Sequence, residues 1–189
     1  MSVSFTNNVL TQPLGLNPNE VVLVPYNEDW PVMYEQECNT LQLALSPLEP
    51  SFEHIGSTAV PGLNAKPIID IMAGVSNPAR TADACELLQL LGYTAHGEKG
   101  IPGRLFFTKG APSTHHLHLV RIGGEFWTEH ILFRDELIDN PNAAARYLGI
   151  KLTLAEQYSG NRPKYTDGKA AVIQHILAAA MARSLRTDV

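Results

Sequence analysis

The residues from 53 to 75, EHIGSTAVPGLNAKPIIDIMAGV, constrain this chain more than any other stretch. They predict a short strand ending at Ile55, a tight Gly56-Ser57 turn, a loop, and a second strand whose apolar run is interrupted by Asp70. Side chains alternate across a strand. Lys66, Ile68, Asp70 and Met72 therefore share one face, and Ile69, Ile71, Ala73 and Val75 share the other, which is the expected core. An ionisable group in such a run needs a partner, a metal or a wet cleft. The neighbouring turn suggests the chemistry. Glycine lets backbone approach a phosphate closely, a serine hydroxyl and free turn amides can donate to phosphate oxygens, and a carboxylate across the cleft can hold Mg²⁺ bridging those phosphates. Gly56 and Ser57 are thus candidate phosphate-binding residues, and Asp70 is a candidate catalytic and metal-binding residue.

A second constellation lies on the strand expected over His115 to Arg121. Here His116, His118 and Val120 share a face, while Leu117 and Leu119 belong to the core face. Two imidazoles at i and i+2 can ligate one metal or hydrogen-bond one phosphate. His115 is out of phase and His54 adjoins the glycine turn, so a structural role is expected of each.

The other segments read as a frame for these two. At 189 residues and net charge −5, the chain can bury a real core without disulfides, and its charge argues against coating nucleic acid. Cys38 and Cys85 lack metal spacing and read as core thiols. No apolar run approaches the ~20 residues of a membrane span, and the N-terminus lacks a signal-peptide core, so a cytoplasmic location is expected. Residues 1–19 are expected to be a loosely structured extension before one domain at 20–189, with a sheet core over 20–122 and a helical part over 123–189. Val21 to Val24 reads as a strand, with Asp29 capping a helix that carries Trp30, Tyr34, Cys38, Leu41 and Leu45. Asn77-Pro78 is expected to open a second helix ended by Gly92, followed by strands at Tyr93–Ala95 and Leu105–Thr108. Beyond Gly123-Gly124 the pattern is helical, with a restart at Asn140-Pro141 and a last helix from about Asp167 to Leu185.

The string HIGSTAVPGL-AKPIIDI resembles the GrpB family (UPF0157), whose members are assigned to the nucleotidyltransferase fold of the DNA polymerase β type. VLVPYNEDWPVMYEQE near the start, His116-Leu117-His118, and FWTEHILFRDEL with YTDGKAAVIQHIL near the end are similar to the family as well. The resemblance implies an α/β fold: a mixed sheet of about five strands flanked by helices, with a helical C-terminal part. It implies that His118 and His116 face Asp70 as metal ligands. A carboxylate–imidazole set suits Mn²⁺, Zn²⁺ or Fe²⁺ better than Mg²⁺. One departure stands out. Active nucleotidyltransferases carry two acidic residues at i and i+2 on this strand, and here the second place holds Met72, which does not ligate Mg²⁺.

Five basic residues are candidates for phosphate binding. Arg134, Lys151 and Lys169 match family positions, while Lys66 and Arg104 adjoin the expected cleft. The TDGK at 166–169 is not a Walker motif. The first expectation is a nucleotidyltransferase that uses a nucleoside triphosphate, a divalent metal (Mg or Mn, with Zn a further option) and His116 as candidate base. The acceptor, a small molecule or a protein, is not encoded in these motifs, nor is an oligomeric state. The second expectation is a nucleotide- or anion-binding accessory domain that lacks the second carboxylate, in keeping with GrpB-like domains fused to dephospho-coenzyme A kinase. A metal-dependent hydrolase on the same ligands is a third.

Overall fold

The computed structural model describes residues 13–77 and 82–187. Its strands are β1 (Ser51–Ile55), β2 (Ile69–Val75), β3 (Tyr93–Ala95), β4 (Leu105–Lys109) and β5 (His115–Arg121). They form one sheet in the order β1-β2-β5-β4-β3. Only β2 and β5 pair in parallel; the other neighbours are antiparallel, so the sheet is mixed as expected. The helices are α1 (Trp30–Leu45), α2 (Ala82–Leu90), α3 (Glu125–Asp139), α4 (Pro141–Gln157), α5 (Arg162–Gly168) and α6 (Ala170–Thr187).

The alternation of β2 and β5 decides the layering. Ile69, Ile71, Ala73, Leu117 and Leu119 pack on Trp30, Leu41 and Leu45 of α1 and Leu88 of α2. Each such fully buried aliphatic side chain is worth about 1.5–3 kcal/mol. The opposite face is only half covered. Ile55, Met72 and Val120 lie under Phe126, Trp127 and Ile131 of α3. Gly74 makes this approach possible: a Cβ there would stand 2.4 Å from the Trp127 ring. The N-terminal ends of β2 and β5, carrying Asp70 and His116, are left open on this face. Further along the chain, Val60 and Leu63 join Leu137, Tyr147, Val172 and Ile176 in a second core that fixes α3, α4 and α6 beside the opening.

Several expectations need correction. Val21 to Val24 is not a strand: Val24 makes an isolated bridge to Ala65, and the Val21 amide bonds the Ser159 carbonyl. Residues 1–12 lie outside the described residues, but 13–19 are not loose. Leu16 is buried, bridges to Ser113, and is preceded by a Gly15 amide bonded to the Pro67 carbonyl. Asp29 stands before α1 without capping it; its amide instead donates to Asn27 Oδ1. The last helix begins at Ala170 rather than about Asp167, and it is preceded by a short helix, α5, that the sequence pattern did not suggest. The expected start of the second helix at Asn77-Pro78 lies, from Pro78 on, outside the described residues, whereas Gly92 does follow it with φ +83°. Asn140 caps α4 by accepting from the Ala143 amide, as its sequence suggests.

Candidate functional site

The open half of the sheet face is one wall of a cleft of about 910 Å³. The segment from His96 to Arg104, helices α4 and α5 with the following Lys169, His130 of α3, and Pro18 and Asn19 line it as well. Register builds the sheet wall. Ile55 pairs with Asp70, and Asp70 with His116, so the end of β1 delivers the Gly56-Ser57 turn directly against the carboxylate. Gly56 is required here for two reasons. Its φ is +73°, and an added Cβ would stand 2.6 Å from Asp70 Oδ2. Ser57 starts one turn of 3-10 helix, and the Tyr147 hydroxyl comes within hydrogen-bonding reach of it.

Asp70 is the centre of the polar cluster. His116 Nδ1 lies 2.8 Å from Asp70 Oδ1, and His118 Nε2 lies 3.9 Å from the same oxygen. Burial alone would raise the carboxyl pKa, but the His116 hydrogen bond and the adjoining His118 ring hold it well below the usual carboxylate range. An ionised carboxylate only accepts, so the shared proton belongs to His116 Nδ1. His118 is pressed between the rings of Phe106 and Phe126, and burial lowers its pKa. The expectation that both histidines face Asp70 agrees with these distances, with His116 the nearer.

They do not form a ready metal cage. Among the described residues, no group of three or more His, Cys, Asp or Glu side chains is placed to hold an ion. His116 spends its Nδ1 on Asp70 itself. Asp70 remains as a carboxylate that is 27% exposed and beside the glycine turn, a donor set suited to an ion that shares its coordination with a ligand's phosphates. Met72, at the place of the usual second carboxylate, is fully buried under α3 and does not line the cleft.

The facing walls carry cations. Lys66, Lys99, Arg104, Lys151, Arg162 and Lys169 all line the cleft, against the carboxylates of Asp70 and Asp167. Lys151 is only 1% exposed and donates to the Asn64 carbonyl at 2.5 Å. Its ammonium lies 5.3 Å from the Tyr147 ring centre, while Lys66 and Lys169 lie 5.7 and 4.6 Å from that of Tyr165. Burial, and then mutual repulsion, lower Lys151 to about 7 and Lys66 to about 8; burial lowers Lys169 to about 8. Arg104 is committed differently: Nη2 donates to the Glu98 and Lys99 carbonyls, and Nε is buried without a partner.

Of the residues singled out from the sequence, the cleft brings together Gly56, Ser57, Lys66, Asp70, Arg104, His116, His118, Lys151 and Lys169. Arg134 is the exception. It is paired with Glu53 and Asp135, donates to the His54 carbonyl, and is not among the lining residues. His54 bonds Thr58 and stacks on Tyr34, and His115 bonds Thr114. Sequence reasoning missed Arg162, Tyr147, Tyr165 and His130. Arg162 is held in place by the carbonyls of Asn17, from the segment expected to be loose, and of Glu20. His130 Nδ1 bonds the Phe126 carbonyl, which fixes the proton on that nitrogen. Burial lowers its pKa to about 4, so the ring is neutral near pH 7.

A family model described as GrpB protein matches residues 20–179. The UPF0157 protein YqkA of Bacillus subtilis is 38% identical over 89% of this chain, which spans half of YqkA's length. The glutamate-rich protein GrpB of Alkalihalophilus pseudofirmus is 35% identical over 87% of this chain and 98% of its own. The crystal structure of GrpB from Enterococcus faecalis superposes with a TM-score of 0.80 at 32% identity, covering 87% of this chain and 99% of that one. A dephospho-CoA kinase of Mycolicibacterium paratuberculosis is 27% identical over 88% of this chain, and the match covers 47% of that protein. Among the described residues, no helix is long and apolar enough to cross a membrane.

Proposed function

The chain belongs to the GrpB family, and we propose that its cleft binds a nucleoside triphosphate with a divalent cation and transfers the nucleotidyl group to an acceptor hydroxyl. One observation carries this reading: in a chain of net charge −5, six cationic side chains line a cleft whose innermost carboxylate, Asp70, adjoins a glycine-serine turn. Polyanion binding is the use for which such a concentration of charge is suited.

In this reading Gly56 leaves room for a phosphate beside Asp70, and the Ser57 hydroxyl donates to it. Asp70 divides its oxygens: Oδ1 orients His116, and Oδ2 faces the turn, where a cation would sit. A bound divalent ion would screen the phosphate charge and polarise the α-phosphate. With the Nδ1 proton directed to Asp70, His116 offers Nε2 as the base for the acceptor hydroxyl. The hydroxyl oxygen forms a bond to the α-phosphorus, the bond to the pyrophosphate oxygen breaks, and the hydroxyl proton passes to His116. Lys99 and Arg104 supply positive charge on the side of the His96 to Arg104 segment.

Met72 favours a second reading, in which the same cleft holds a nucleotide without turning it over. The test separates the two. Thermal unfolding with ATP, GTP, CTP and UTP, with and without Mn²⁺, is expected to show a metal-dependent rise in Tm with one nucleotide, because binding to the native state stabilises it. No rise with any nucleotide contradicts both readings. A rise without pyrophosphate release, when a small-molecule cell extract is added as acceptor source, selects binding over transfer.

A further inference from the structure

Lys66, Lys151 and Lys169 reach the cleft from three separate places: the loop before β2, the middle of α4, and the junction of α5 with α6. Among the described residues none of them has a carboxylate within ion-pair distance, while Lys109, Arg134 and Arg183 all do. Lys151 is the most telling. An ammonium that is 99% buried by its 1% exposure ordinarily has a counter-charge. This one has a single backbone carbonyl, which leaves two of its three donor positions unused.

The rings beneath them place the ammonium groups. Lys66 and Lys169 share the Tyr165 ring, and Lys151 sits over Tyr147, so the three heads lie over a floor of two buried tyrosines. Lys66 and Lys151 are each repelled most by Lys169, Lys66 also by Arg162 and Lys99, and Asp70 attracts all three lysines. Lys99 and Arg104 instead share the Phe106 ring. The rings therefore divide the cationic lining into two groups, one over Tyr147 and Tyr165 and one over Phe106. A triphosphate partly neutralised by its own cation needs fewer positive partners than the two groups together supply. The volume, about 910 Å³, lies near the upper end of the ~300–1,000 Å³ typical of a pocket for one small ligand.

We infer that Lys66, Lys151 and Lys169 form a second anion subsite, separate from the Asp70 and Gly56 end, which takes a phosphate group of the second reactant. The inference rests on the nucleotide reading for the word reactant, but the subsite itself stands on the lysines alone. It assigns the acceptor a chemical class: a small molecule bearing a phosphate as well as a hydroxyl. Three point charges with rotatable donors suit a phosphate dianion, which offers three oxygens.

Inorganic phosphate is the probe. Calorimetric titration into the full chain is expected to show one site. Saturation with a non-hydrolysable nucleoside triphosphate and Mn²⁺ is expected to leave it in place. Lys169→Gln, or Lys66→Gln should the first variant unfold, is expected to weaken phosphate by roughly tenfold or more, while Asp70→Asn does not weaken it. Displacement of phosphate by the nucleotide, absence of phosphate binding at millimolar concentration, or indifference to both lysine variants overturns the subsite. If phosphate binds with this pattern but no nucleotide binds, the subsite stands and the nucleotide reading fails.

Discussion

On the sheet side of the cleft, Asp70 already has its partners: the His116 ring at 2.8 Å and the His118 ring at 3.9 Å. On the helical side, Lys66, Lys151 and Lys169 crowd together, and among the described residues no carboxylate pairs with them. The first wall stabilises the fold and the second opposes it. The pKa directions express the same contrast: Asp70 is held in its charged form, and the lysines are pushed away from theirs. A protein keeps an unfavourable cluster of this kind where function needs it, since stability and activity trade against each other at binding sites.

The comparison can be broken at four points. Met72→Asp restores the missing carboxylate in sequence terms, but the side chain lies under Phe126, Trp127 and Ile131. The expected outcome is a loss on the order of 4 kcal/mol in urea unfolding, from an unpaired buried charge, with no gain in metal binding. Gly56→Ala places a Cβ against Asp70 at a φ of +73°. It is expected to cost about 2 kcal/mol and to abolish nucleotide-dependent stabilisation in a melting assay.

The opposite walls should respond with opposite signs. Asp70→Asn is expected to lower Tm, whereas Lys169→Gln is expected to raise it by about 2–4 °C, the shift of roughly 1 kcal/mol in a chain of this size. Asp70→Asn should weaken Mn²⁺-dependent nucleotide binding, and Lys169→Gln should weaken the binding of inorganic phosphate. A fall in Tm for the lysine variant would mean that its ammonium has a stabilising partner after all.

The helical wall also carries a pH dependence. Lysines at about 7 and 8 in the folded chain and 10.5 in the unfolded one give the unfolded state more bound protons across that range. Their contribution to stability is therefore full above pH 10.5 and is lost as pH falls through 8 to 7. The free protein should gain Tm between pH 7 and 9, while its affinity for inorganic phosphate falls over the same interval.

What the sequence made legible follows from range. Alternation placed Asp70, His116 and His118 on one face and Ile71, Leu117 and Leu119 on the other, because a strand's period is local. The bounds of β3 and β5 match their expected limits. Arg134 lies outside the cleft lining in a way the sequence did not show, because one of its two partners, Glu53, lies 81 residues away and meets it only through the packing of α3 on the sheet. Lys66, Lys151 and Lys169 were candidates singly, by family position or by proximity to Asp70, yet nothing local shows that they converge. Arg162 and His130 carry no local signal of their place in the cleft; one depends on the path of residues 17–20 and the other on the packing of α3 over the sheet. Met72 could be read as a missing ligand, but its burial under α3 needed the tertiary structure.

The most direct test is titration of a non-hydrolysable nucleoside triphosphate into the wild-type chain and Asp70→Asn, each with and without Mn²⁺. The expected result is binding that Mn²⁺ strengthens at least tenfold, about 1.4 kcal/mol, in the wild type but not in the variant. Binding that is indifferent to both Mn²⁺ and Asp70→Asn would place the ligand on the lysines alone and contradict the role assigned to Asp70.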